Sequence, residues 1–379
     1  MTSATPTPGT RPSANSLVGL VLIIAFVIAA LGFVDSALEK AEQADLETQA
    51  QRAHVDGTRL IQQGKIEQGI ESLRKSHVLE RSNTLYELDL IDSLIAAKKT
   101  TEAEPLMSEI LLREPDDGHA NLSAARLMLQ NGKTVDAISY YHRAIYGDWP
   151  ENAPAHRVSA RMELVHVLAA EGRNKELLAE LLPLEEEAKT NMAIQSALGH
   201  LFLVAGSPSR AAATYQTIID QDPESADAHA GLGEVELELG QYGNAHTAFL
   251  AALRYKPQDA AIRRQLDLSN TLTELDPTPR RLTSGEKYGR SIRILQLAYD
   301  DLSACLSKHP GTPSPETTQL LSAAHDTLKA KPPSNATNEL SERVLGIAEK
   351  TWKARVATCG AGFSPQQEPL RLIIEKLAQ

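Results

Sequence analysis

A chain of 379 residues has room for two or three ordinary domains, yet 42% apolar side chains with only 4% aromatic ones describe a core of Leu and Ala between helices, not a sheet. A net charge of −11 argues against a nucleic-acid backbone as the main partner, because phosphate binding needs a basic face. The acidity is read as solubility.

Residues 1–15, rich in Thr, Pro, Ser and Ala, predict a disordered tail. Leu17–Val34 then reads LVGLVLIIAFVIAALGFV, without charge or proline. Eighteen helical residues rise about 27 Å, close to a hydrocarbon core of about 30 Å, and no polar face interrupts them. Residues 16–34 are therefore expected to form a transmembrane helix. Arg11 and the amino terminus precede it; Asp35, Glu39, Glu42, Asp45 and Glu47 follow, against Lys40 alone. This balance favours a cytoplasmic N-terminus and an exported body. A cleaved secretory signal ending near Ala30-Leu31-Gly32 and an inverted topology are the alternatives. Residues 35–49 predict a juxtamembrane helix running on toward the next element.

From residue 50 the chain repeats. Leu198, Gly199, Gly206, Ala211, Tyr215 and Pro223 recur 34 residues later as Leu232, Gly233, Gly240, Ala245, Phe249 and Pro257. Each unit reads as a helix, a glycine turn, a second helix and a proline that ends it. The register extends backwards through 158–191, 118–151, 84–117 and 50–83, with Asn152–Arg157 as an interruption. Residues 118–151 keep the pattern with Gly132, Ala137, Tyr141 and Ala144, and the other three copies are degenerate: Lys98 stands at one turn, Leu177 and Leu181 replace Ala and an aromatic, and Gly69 and Ser76 occupy expected Ala positions. Residues 50–259 resemble the tetratricopeptide repeat family, whose period is 34. The resemblance implies an all-α fold, an α-solenoid of about six helix hairpins.

Residues 260–379 are expected to add a capping helix and a small C-terminal helical region. Ala260–Leu275 suits the cap, because a terminal hairpin otherwise exposes an apolar side. Thr283–Glu286 is a capping box before the stripe Tyr288, Ile292, Leu295, Tyr299, Leu302 and Leu306. Helices are expected from Ser314-Pro315, over Glu339–Thr358, and over Pro369–Leu377. The sequence leaves open whether this region docks on the array or stands alone. Cys305 and Cys359 are the two cysteines. In an oxidising compartment such a pair suggests one bridge, the alternative being two buried thiols. Two lone cysteines without a CxxC do not make a zinc set.

No phosphate loop, dinucleotide fingerprint, HExxH, GxSxG or CxxCH is present. The expectation is no enzyme, no cofactor, no metal and no small-molecule substrate. His54, His119, His166, His200 and His229 fall on first helices of repeats and are read mainly as amphipathic filler. The resemblance implies an inner surface lined by set positions of each first helix. Carried onto this sequence these include Leu122, Arg126, Met162, His166, His200 and Glu234. The Lys and Asn set with which co-chaperones of this family hold a C-terminal carboxylate is missing, so extended or helical peptides with apolar anchors fit better. The whole resembles bacterial inner-membrane repeat proteins that assist envelope assembly or protein folding after translocation. That implies a membrane-anchored, non-enzymatic scaffold displaying a protein- or peptide-binding surface on the periplasmic side. A cytosol-facing organiser of envelope biogenesis is the alternative.

Overall fold

The computed structural model describes residues 14–308, 313–333 and 335–378, with the backbone alone described at 14–24, 29 and 35. Among the described residues all regular structure is helical, in 17 α-helices, with one isolated bridge between Asp117 and Asp148 and no strand. The chain divides into two compact units, one reaching to Leu164 and one starting at Val165.

The first unit contains α1 (Ala14–Gln62), α2 (Ile66–Leu79), α3 (Thr84–Ala96), α4 (Thr100–Arg113), α5 (Gly118–Gln130), α6 (Thr134–Tyr146) and the start of α7 (Ala153–Ala170). The second continues with α8 (Asn174–Glu187), α9 (Met192–Val204), α10 (Pro208–Gln221), α11 (Ala226–Glu238), α12 (Tyr242–Tyr255) and α13 (Ala260–Leu275). It ends with α14 (Ser284–Lys308), α15 (Pro315–Lys329), α16 (Asn338–Cys359) and α17 (Glu368–Leu377).

One local device builds every hairpin. Gly64, Gly132, Gly172, Gly206 and Gly240 have φ between 66° and 77°, the left-handed region. The amide of Gly64 donates to Ile61 and that of Lys65 to Leu60, both at 2.9 Å, and the same pair of bonds recurs at each turn. This C-terminal cap satisfies the last carbonyls of the first helix and reverses the chain. Lys98 occupies the same slot with φ of 60°, so the degenerate turn keeps its geometry despite a side chain that disfavours it. First helices are then started by side-chain caps: Asn83, Asp117, Asn191, Ser225 and Asp259 accept from amides two or three residues on.

Packing follows the same register. A Cβ on Gly57 would lie 3.1 Å from the carbonyl oxygen of Gly69, and one on Gly69 would lie 3.0 Å from that of Gly57. The glycines therefore let α1 and α2 touch backbone to backbone, and Ser76 pins the far end of the hairpin by donating to the Ala50 carbonyl at 2.9 Å. In the second unit Tyr215 lies over both Gly199 and Gly231, and Phe249 over Gly233. The first unit's core gathers Ile70, Leu73, Leu90, Ile91, Leu94, Ile110 and Leu127.

Two expectations are corrected or left aside. Asn152–Arg157 is not an interruption between helices, because α7 begins at Ala153 and absorbs most of the extra residues as added turns. Among the described residues no helix is long and apolar enough to cross a membrane. The expected span at 16–34 lies partly outside the described side chains, and residues 1–13 of the expected tail lie outside the described residues. What is described of α1 between Ala25 and Gln49 is almost wholly exposed, including Phe26, Ile28, Leu31 and Phe33. Among the described side chains of α1, Ala50 is the first that is buried.

The C-terminal region docks on the last repeat. Tyr242, Leu272 and Leu275 share one cluster with Ile294, Leu295, Trp352, Ile373 and Ile374. Tyr242 donates to the Leu372 carbonyl at 3.2 Å, and the Lys376 ammonium donates to the Gly240 carbonyl and to Asp276, both at 2.7 Å. Cys305 and Cys359 form a disulfide with Cα atoms 6.2 Å apart, tying α14 to α16. Beside it Arg355 pairs with Asp301 at 3.0 Å and donates to the carbonyls of Gly360 and Gly362. Its guanidinium lies over the Phe363 ring, so one cation fixes the loop that leads into α17.

Candidate functional site

In the first unit the first helices lie side by side and their polar residues pair across the gaps. The His54 ring meets Asp89 at 2.6 Å and stacks on Tyr86 with ring centroids 4.5 Å apart. Asp92 receives His119 at 2.8 Å and also the Ser123 hydroxyl. Arg126 holds Glu163 with two bonds, at 3.0 and 2.6 Å, and the Tyr141 hydroxyl donates to the same carboxylate at 3.1 Å. A ladder of ion pairs and hydrogen bonds thus links α1, α3, α5 and α7.

Burial alone would lower the His119 pKa, but the hydrogen bond and charge of Asp92 outweigh it, and the net shift is upward. Burial would likewise raise the Asp92 pKa; His119, Ser123 and Arg126 overcome this and hold it below the usual carboxylate value. The raised histidine contributes stability that is complete below its unfolded value of 6.5 and is lost as pH rises through its folded value. The depressed carboxylate contributes stability that is present above its unfolded value of 3.8 and is lost as pH falls through its folded value. The urea midpoint of the wild type should therefore fall as pH rises above 6.5, and His119→Gln should flatten that part of the profile. A variant keeping the full slope would assign the effect to another group.

The family-derived surface residues separate into two groups. Leu122 is 5% exposed and belongs to the core, so it does not line the surface. Arg126 is engaged by Glu163, and Met162 is half-buried. His166, His200 and Glu234, which recur every 34 residues in the second unit, are all exposed. Beside them lie half-buried Ala169, Leu203 and Leu237. The Tyr215 hydroxyl is pushed up to about 12, by burial first and then by the nearby Glu234 charge. The row in the first unit is thus saturated by its own pairs, and the row in the second unit is open. The pairing that consumes Arg126 and Glu163 is the part that sequence reasoning missed. Among the described residues no group of three or more His, Cys, Asp and Glu is placed to hold a metal ion.

A tetratricopeptide repeat model matches residues 88–156 and 196–264. Over these two segments the chain is similar to the tetratricopeptide repeat family. The first match takes in the degenerate repeat at 84–117 together with 118–151, and the second holds the two regular copies. Among solved structures the chain is similar to YrrB, a tetratricopeptide repeat protein with an unusual peptide-binding site, at 15% identity and a TM-score of 0.42, covering 51% of this chain and 97% of that one. It is also similar to PilW, a type IV pilus biogenesis factor, at 14% identity and a TM-score of 0.43, covering 56% and 96%. A third likeness is the complex of the TPR2AB domain of yeast Sti1 with pHSP90, at 14% identity and a TM-score of 0.26, covering 59% of this chain and 97% of that one. No curated protein matches the chain at a significant level.

Proposed function

We propose that this chain is a non-enzymatic interaction scaffold, anchored in a membrane by the apolar start of α1, that offers the first-helix row of its second unit to protein or peptide partners. The observation that carries the reading is the exposure of His166, His200 and Glu234 at a constant spacing beside half-buried apolar side chains. A polar row flanked by an apolar strip suits a peptide that presents both backbone polar groups and apolar anchors. Tetratricopeptide repeats in both units agree with an interaction role.

Anchoring rests on the uncharged run Leu17–Val34 and on the exposure of Phe26, Ile28, Leu31, Phe33 and Val34, which the described residues leave largely uncovered. The Cys305–Cys359 bridge supports an oxidising compartment, hence a cytoplasmic N-terminus and an exported, periplasmic body at the inner membrane. In that setting the scaffold would serve envelope assembly or the folding of translocated proteins, and tethering would raise its effective concentration for membrane-linked clients.

The test is a crosslinked recovery of partners from membranes with wild type and with His200→Ala/Glu234→Ala. Recovery of the partners should fall about tenfold if these residues are central contacts. An unchanged partner set would remove the second-unit row from the reading. Free Cys305 and Cys359 thiols in cells would turn it toward the cytosol-facing organiser.

A further inference from the structure

The first unit carries a second surface, at the end of its helices that points back along α1. Second helices run antiparallel to first helices, and Ser76 donates to the Ala50 carbonyl, so the C-terminal end of α2 lies level with the start of the packed part of α1. The Thr84 hydroxyl donates to Glu114 at 2.7 Å and the Gly118 amide to Asp148 at 2.8 Å, which brings the ends of α4 and α6 to the same rim. Four large apolar side chains stand exposed there: Val78 at 56%, Leu85 at 53%, Leu112 at 86% and Tyr146 at 71%. Val78, Leu112 and Tyr146 occupy one repeat position, 34 residues apart. The same position in the later repeats holds Glu186, Asp220 and Arg254. The apolar rim therefore belongs to the unit that carries α1 and is absent from the sequence of the other.

We infer that this rim docks an amphipathic helix of a membrane-associated partner, lying along the membrane surface beneath the first unit. The inference rests on the anchoring reading above. With α1 unbroken, Ala50 stands sixteen residues beyond Val34, about 24 Å at ~1.5 Å per residue. Headgroups take roughly 5–8 Å of this. The remaining gap is too tall for side chains at the rim to reach lipid, and it admits one helix of about 10–12 Å diameter with its side chains. A second copy does not fit the space either. Two chains inserted in the same direction present both rims toward the bilayer, so the rims cannot face each other across a two-fold axis. An amphipathic helix supplies an apolar face for the rim and a polar face for the headgroups.

The test places a photo-reactive phenylalanine analogue at Val78, and separately at Val135 near the opposite end of the unit, in the full chain within native membranes. Val78 should give an adduct with a membrane protein, mapped by peptide mass spectrometry to an amphipathic segment next to a span, and Val135 should not. Adding Leu112→Glu, an exposed position whose change leaves folding intact, should lower that adduct about tenfold. Adducts with lipid or with a second copy, adducts equal from both positions, or none at all would overturn the proposal. Alkaline extraction of the same membranes separates the two layers of the argument. A chain that resists extraction but gives no rim adduct overturns the rim alone, and a chain that is released overturns the anchor and the rim with it.

Discussion

Phe249→Ala should destabilise the second unit by about 3–5 kcal/mol, the range for a fully buried aromatic. Phe249 is 1% exposed and packs with Ala245, Ala252 and Ile262. Its ring fills the space left by Gly233, where an added Cβ would lie 2.6 Å from the ring. Truncation removes the ring and cannot be mended by collapse, because a glycine backbone already forms the opposite wall. The complementary change, Gly233→Ala, overfills the same space and should cost about 1–3 kcal/mol. Urea titration followed by hydrogen exchange on α11 and α12 measures both. A Phe249→Ala midpoint within about 0.5 kcal/mol of wild type would mean that the ring is not the wedge between these hairpins.

Cys305→Ser should lower the stability of the C-terminal helices by about 4 kcal/mol in the chain-entropy view, because the bridge closes a loop of 54 residues. The bond joins α14 and α16, whose apolar stripes of Ile294, Leu295 and Leu302 and of Val344, Ala348 and Trp352 already face one another. The effect should therefore appear as a lower melting temperature, with helix content retained before the transition. Wild type melted with a reductant should match the variant melted without one, and the variant should ignore the reductant. If the variant melts like the oxidised wild type, the bridge contributes nothing to this fold.

The repeat architecture was legible because its constraints are local. A left-handed turn residue, a small residue under each aromatic and a cap before each first helix leave marks at fixed spacing, and even Lys98 holds the slot that Gly64 and Gly132 hold elsewhere. The surface was less legible because it depends on pairs that the period does not encode. Arg126 reaches Glu163 across the extra residues that lengthen α7, where counting by 34 fails. Leu122 occupies a position expected to face a ligand, yet in this helix it is covered. The docking of α17 was out of reach for the same reason, since Tyr242 and Lys376 find their partners 130 and 136 residues away along the chain.

The seat of α17 also sets a direction for change. Leu272 and Leu275, at the outer end of α13, are roofed by the C-terminal helices, and Lys376 clamps the turn carbonyl inside the α11–α12 hairpin to the carboxylate that follows α13. No further hairpin, from this chain or a neighbour, can be stacked there until that roof is lifted. Gene duplication or design that lengthens the repeat array must therefore insert its new units upstream of α11, and a truncation that removes α17 would bare the apolar edge of Leu272 and Leu275 that it now helps to cover.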